Sequence, residues 1–317
     1  LIIGATICLG IFSCSNEESN AKDHQKETKT STMNPFFQAY DTPYELPPFE
    51  QIEIKHFKPA FLEGIKIQKA EIDQIVNNTS PANFENTILA LENSGELLGR
   101  VGSVFYNLNS ANTSDEMQEF ANEIAPLMSA HQDEISLNER LFARIKEVWE
   151  ESTSTNNEGL DAEALKLIEK KHLSFVRSGA KLNEEEKTEL KKINEKLSLL
   201  TLKFGQNVLA ETNNYQLIVE NESELSGLPS SLKEAAAKEA KDAGLENKWI
   251  FTLHNPSVMP FLQYADNREL RKEIWSAYQN RGNNDNEYNN NSIIKELVEL
   301  RQQKAQILNT VNSPLYF

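Results

Sequence analysis

Cysteine is nearly absent. The 317-residue chain holds two, Cys8 and Cys14, both within its first fourteen residues. This excludes a disulfide framework or a cysteine-rich metal site from the rest of the chain. Glycine (12) and proline (11) are also scarce, which disfavours a turn-rich β fold. Abundant Leu, Glu, Lys, Ala and Asn favour helices instead. Positive charge is in deficit: 32 Lys and Arg stand against 48 Asp and Glu, a net charge of −16. Such a chain repels phosphates at long range, so nucleic acid is a poor partner. No His-Glu-x-x-His, Cys-x-x-Cys, phosphate-binding glycine loop or Gly-x-Ser-x-Gly elbow occurs. With 39% hydrophobic and 25% charged residues, the composition is that of a globular protein. It fits neither a polytopic membrane protein nor a disordered one. The length by itself suggests about two domains.

Residues 1–12 are apolar apart from Thr6. That is too short for a spanning helix, which needs ~20 residues. It fits the hydrophobic region of a signal peptide whose start is missing. Ile11-Phe12-Ser13-Cys14 resembles a bacterial lipobox, which makes Cys14 the expected lipidation site. The alternative is a plain secretory signal with a chance cysteine. Residues 14–33 then form a polar tether with no apolar period. Within it, Ser15-Asn16-Glu17-Glu18 resembles the acidic stretch of surface-exported Bacteroidetes lipoproteins. The expected location is the cell envelope, facing the periplasm or the surface, with a lipid at Cys14 as the membrane contact.

The folded body is expected over 34–317. Asn34-Pro35-Phe36-Phe37 with Pro43, Pro47 and Pro48 reads as an extended aromatic arm. Phe57, Phe61, Ile65, Ile72 and Val76 lie at helical spacing, and Asn77-Asn78 is a stop. A helix from Asn83 is interrupted by Gly95, Gly99 and Gly102. Thr113 to Glu116 has capping-box spacing, and Pro126 is expected to kink or end the helix that follows. Asn183 to Glu186 is a second such box. It opens a heptad-like stripe of Leu190, Ile193, Leu197, Leu200, Phe204 and Val208 that must lie against other helices. Strands are expected near 215–220 and 248–254, paired in parallel if the intervening helix is a crossover. Asp266 to Glu269 is a third capping box. The Asn-rich stretch 283–291 should link two helices and cap them. The fold class is mainly α.

The chemistry visible in the chain is sparse. His131 and Glu134 stand at i and i+3, as in some di-metal bundles, but no second pair exists, so His131 reads as part of a solvated helix end. His172 reads as a hydrogen-bonded boundary residue. His254 falls at a strand end, in a loop or cleft with a structural role. Glu184, Glu185 and Glu186 complement a helix dipole, and Asp73, Glu85 and Glu92 read as surface residues. On their own chemistry these residues give no catalytic or metal-binding set.

An ordered series of motifs carries a resemblance. It comprises Asn34 to Phe37, Pro47-Pro48-Phe49, His56 to Phe61, Phe84 to Ile88 and Phe105 to Leu108. It continues with Phe175 to Ala180, Leu199 to Leu209, Pro260 to Ala265 and Arg281-Gly282-Asn283. Together they resemble bacterial peptidyl-dipeptidases of the thimet oligopeptidase–oligopeptidase A family of zinc metallopeptidases. The resemblance runs over nearly all of Asn34 to Leu308. It implies a two-lobed, mainly helical enzyme with a deep channel, and this chain as its N-terminal lobe and part of the channel wall. In that family the His-Glu-x-x-His helix lies in the C-terminal half. There zinc polarises the scissile carbonyl, its bound water attacks, and the motif's Glu acts as base. No catalytic residue and no Zn2+ ligand of the family falls on a residue of this sequence.

The resemblance implies short peptides as substrates, dipeptides released from their C-termini, and a monomer when complete. After Lys304 to Leu308 the sequence turns to Asn309-Thr310-Val311 where the family continues into further helices. The expectation is therefore a truncated chain, inactive alone. The alternative is a non-catalytic helical lipoprotein that binds peptides or a protein partner.

Overall fold

The computed structural model describes residues 33–154 and 159–308. The apolar leader, Cys14 and nearly all of the tether lie outside those residues, as does the Asn309-Thr310-Val311 stretch.

The arm is three single 3-10 turns, Pro35–Phe37, Pro43–Glu45 and Phe49–Gln51, joined by extended backbone. Its anchor is Phe36, fully buried against Phe57 with ring centroids 5.3 Å apart. Arg100 donates to the Phe36 carbonyl (2.9 Å), and the Asn34 amide donates to that of His56 (2.8 Å).

Helix α1, Ile54–Val76, ends at Asn77 as the sequence implies. The next segment is π-type over Phe84–Leu89 and runs into one helical turn, α2, Ala90–Glu92. Gly95 then takes a left-handed conformation (φ 78°) and separates α2 from α3, Glu96–Ala111. An L side chain resists that backbone, so the break falls at a glycine. Gly99 and Gly102 do not interrupt the chain; both lie within α3. Phe57, Phe61, Phe105 and Phe120 pack against one another, Phe105 to Phe120 edge-on at 5.1 Å and 87° and Phe57 to Phe120 stacked at 6.3 Å and 27°. They form the heart of the first core.

Helix α4, Asp115–Ser136, is capped by Ser114, whose side chain accepts from Met117 N. The cap is thus one residue later than the Thr113 spacing suggested. Pro126 does not end α4, which continues past it to Ser136. Ile124 before it and Ile135 after it are both buried, so core packing holds the two halves in one helix despite the missing donor. Helices α5, Glu139–Ser154, and α6, Ala162–Arg177, pack on each other over a second core that includes Ile72, Leu141, Ile145 and Ile168.

Helix α7, Glu184–Asn214, opens with the reciprocal Asn183–Glu186 box. It lies between α4 and α11, Asn291–Ile307. After α7 come β1, Leu217–Val219, α8, Ser230–Asp242, and β2, Trp249–Phe251. The strands pair antiparallel, Leu217 opposite Phe251, so α8 is not a parallel crossover. It packs back on β2. Helices α9, Asn255–Tyr264, and α10, Arg268–Gln279, complete a third core around Phe251, Phe261 and Ile274. Asn267 caps α10 in place of Asp266. No helix of the described residues is long and apolar enough to cross a membrane.

Candidate functional site

The apolar stripe of α7 changes character as it nears its C-terminal end. Leu190 and Ile193 are buried, while Leu197, Leu200, Phe204 and Val208 are only half-buried. The buried positions near the end are polar instead: Asn207, Glu211 and Thr212. The spacing of four places Asn207 and Glu211 on one helix face, with Thr212 on the adjoining one.

That face holds the Asn-rich loop between α10 and α11. Glu211 accepts from the Gly282 backbone N–H at one oxygen. At the other it accepts from the side-chain amides of Asn284 (2.9 Å) and Asn286 (2.6 Å). Asn207 donates to Asn290 (2.9 Å), and Asn290 donates to the Phe204 carbonyl (3.1 Å). Burial by itself would raise the Glu211 carboxyl; the three donors outweigh it and hold the group below the usual carboxylate range. Gly282 has φ 75°, and a Cβ there would lie 2.7 Å from the Asn290 amide nitrogen. Only glycine fits both the backbone and the space.

Arg281 adds a cation beside this loop. Its Nε donates to the Tyr278 carbonyl (2.9 Å), and Nη1 donates to the Thr212 hydroxyl (3.0 Å). The guanidinium lies 3.8 Å from the Tyr278 ring centroid. Tyr215 lines the same cavity, while its hydroxyl is buried and has no hydrogen-bond partner among the described residues. Burial, with the Glu273 carboxylate adding to it, pushes the Tyr215 phenol up to about 12. Glu211, Tyr215, Arg281, Asn284 and Asn286 line a cavity of about 360 Å³, within the ~300–1,000 Å³ range of small-ligand sites.

A second polar cleft lies between α4, α7 and α11. Asn194 donates to the Asp133 carboxylate (2.7 Å) and accepts from the Lys304 ammonium (2.7 Å). Burial raises the Asp133 carboxyl and lowers the Lys304 ammonium, each against the pull of the opposite charge. Ser129, Ser136 and Ser178 also line this cleft. No sequence motif marks Glu211, Tyr215, Asn194 or Lys304 as site residues. The one sequence signal is the change from apolar to polar residues where the stripe of α7 runs out, at Asn207, Glu211 and Thr212.

The histidines do not converge. His131 is buried, not solvated: its Nε2 pairs with Gln68 (2.8 Å), its Nδ1 has no partner, and burial lowers its pKa. Glu134 pairs with Lys69 instead of sharing a site with it. His172 is placed by stacking 4.1 Å from Trp149 rather than by the hydrogen bond its sequence position suggested. His254, exposed at the start of α9, bonds Thr252 and Asn213 (3.0 Å each) and borders a cleft. His56 Nδ1 accepts from Glu53 N. Among the described residues no group of three or more His, Cys, Asp or Glu could hold a metal ion. Their donor set does not fit zinc, and no metal-dependent step can be built on it.

A helical lobe with polar clefts and no metal centre among its described residues is the form in which the relationship to known peptidases appears. Residues 261–313 match the model of peptidase family M3. The chain is 38% identical to the dipeptidyl carboxypeptidase of Escherichia coli over 278 residues. That is 88% of this chain and 40% of the relative. It is 36% identical to the dipeptidyl carboxypeptidase of Salmonella typhimurium over 281 residues, 89% of this chain and 41% of the relative. It is 30% identical to oligopeptidase A of E. coli over 275 residues, 86% of this chain and 40% of the relative. These matches support the M3 peptidase family. The chain spans about 40% of the length of these curated relatives.

Proposed function

We propose that this chain forms the N-terminal helical lobe of a zinc-dependent peptidyl-dipeptidase that hydrolyses short peptides and releases C-terminal dipeptides. The observation that carries the reading is the 38% identity that runs through 88% of the chain yet covers 40% of a dipeptidyl carboxypeptidase. The lower identity to oligopeptidase A, 30%, favours the dipeptidyl branch. On this reading the lobe walls part of a substrate channel, and the zinc ligands belong to the portion of the protein with no counterpart here. Cys14 carries the lipid that holds the protein in the cell envelope, and the complete enzyme is a monomer.

Reading the gene downstream of Phe317 tests the proposal. A continuing open frame with a His-Glu-x-x-His helix supports it; a long frame without that motif contradicts it. Metal analysis of the 317-residue polypeptide adds an independent arm. The expected result is well under one zinc per chain, and one tightly held zinc per chain would overturn this placement of the ligands.

A further inference from the structure

We propose that His131 is a pH-sensitive latch between α1 and α4: the closed contact admits the neutral imidazole, and a proton at Nδ1 favours the opened one. His131 is buried on α4, and its Nε2 pairs with the Gln68 side-chain oxygen of α1 (2.8 Å). Gln68 is itself held in place. Its amide nitrogen donates to the Ser94 carbonyl and hydroxyl (3.4 Å each), and a Cβ on Gly95 would lie 2.4 Å from that nitrogen. The Gln68 oxygen therefore faces the ring, and an amide oxygen only accepts. The proton of the neutral imidazole accordingly sits on Nε2. Nδ1 is left as a bare acceptor, buried and with no hydrogen-bond partner among the described residues.

A second proton has only Nδ1 to occupy. There it would make a buried cation whose new N–H meets no acceptor, which is costly on both counts. The charges beside the ring give little relief. Lys69 of α1 opposes a positive charge and Glu134 of α4 favours one, but the two are paired with each other. Glu71 of α1 is engaged by the Gly95 N–H (2.7 Å). Asp133 of α4 is bound to Asn194 of α7, and burial raises its carboxyl, so acid acts there with the opposite sign. Burial is the largest influence on His131 and lowers its pKa from the ordinary 6.5. The sign follows. A histidine with a lowered pKa binds its proton more readily once the contact opens. Opening therefore becomes easier as pH falls below the ordinary value, until the closed form is protonated too. The proton needs no path into the closed contact, since the opened form takes it up. The inference goes beyond the peptidase reading and does not depend on it.

The test is amide hydrogen exchange of the full 317-residue chain at about pH 7.5 and about pH 5.5, corrected for intrinsic exchange rates. It is repeated with His131→Gln, whose side-chain amide still offers Gln68 a donor and does not titrate. In wild type, protection over α1 and α4 should fall by about three- to tenfold at the lower pH. Ten is roughly the limit set by an opened-form pKa near 6.5. His131→Gln should show no such fall. A long-range 1H–15N spectrum of wild type reads the ring directly and stands even if the variant folds poorly. It should show the Nε2–H tautomer at about pH 7.5 and a titration midpoint below 6.5. Protection that does not change with pH, an equal fall in His131→Gln, or a midpoint at or above 6.5 would each overturn the assignment.

Discussion

Glu211 shows how one carboxylate can order a loop that has no apolar residue to bury. Residues 282–286 present a backbone N–H and two amides to it, and hydrogen bonds to a charged group are worth about 1.5–3 kcal/mol each. Glu211→Ala leaves those donors without their acceptor, and the expected loss is ~2–3 kcal/mol in urea unfolding. The pH dependence has a defined sign. The folded pKa lies below the unfolded value of about 4.3. The Glu211 contribution is therefore complete above that unfolded value and is lost as pH falls through the lower folded pKa. Glu211→Gln should flatten this part of the acid-unfolding profile; an identical profile would contradict the assignment. Gly282→Ala combines a left-handed backbone with a close approach to Asn290, and a loss of ~1–2 kcal/mol is expected. The sequence showed these groups only as an Asn-rich linker and a departure from apolar spacing. Which amide meets which carboxylate depends on the angle at which the loop crosses α7, and no local pattern encodes that angle.

At the scale of elements, helix positions were legible wherever the apolar period and a cap agreed. The Asn77 stop and the Asn183–Glu186 box fall where the pattern put them. Legibility failed where tertiary packing outweighed a local signal. Pro126 sits in an unbroken α4 because the residues on both sides are buried in the same bundle. His131 is enclosed because Gln68 of α1 reaches its ring. The strand direction could not be read because three-residue strands carry too few residues to constrain their pairing.

The attachment of α11 to the bundle gives a prediction at this scale. Asn194 links Asp133 of α4 to Lys304 of α11 across α7. Asn194→Leu should leave both charges without their shared amide and loosen that helix. Amide hydrogen exchange should then show protection over 291–307 falling by about tenfold or more, while 54–76 stays unchanged. Equal protection in both proteins would show that the apolar contacts of Leu297 and Leu300 hold α11 without the polar link.

The whole molecule leaves apolar side chains open on α11: Ile294 and Val298, one turn apart, are 45% and 58% exposed. On α7, Leu199 is 38% exposed. Scattered exposed apolar residues are ordinary on a protein surface. Ile294→Ser with Val298→Ser should lower the binding of an apolar dye to the 317-residue polypeptide. It should leave Tm nearly unchanged, since surface substitutions shift stability by about 0.5 kcal/mol or less. A large fall in Tm would show that these residues pack within the lobe.

The central claim, that the lobe belongs to a peptidyl-dipeptidase whose metal chemistry resides elsewhere in the protein, is tested most directly by one assay. The gene product read through to its own stop codon is incubated with a blocked tetrapeptide, and residues 34–317 alone are run beside it. The account predicts C-terminal dipeptide release by the complete product, abolished by a zinc chelator and restored by added zinc, and none from residues 34–317. A complete product that releases no dipeptide, or equal release from residues 34–317 alone, would contradict it.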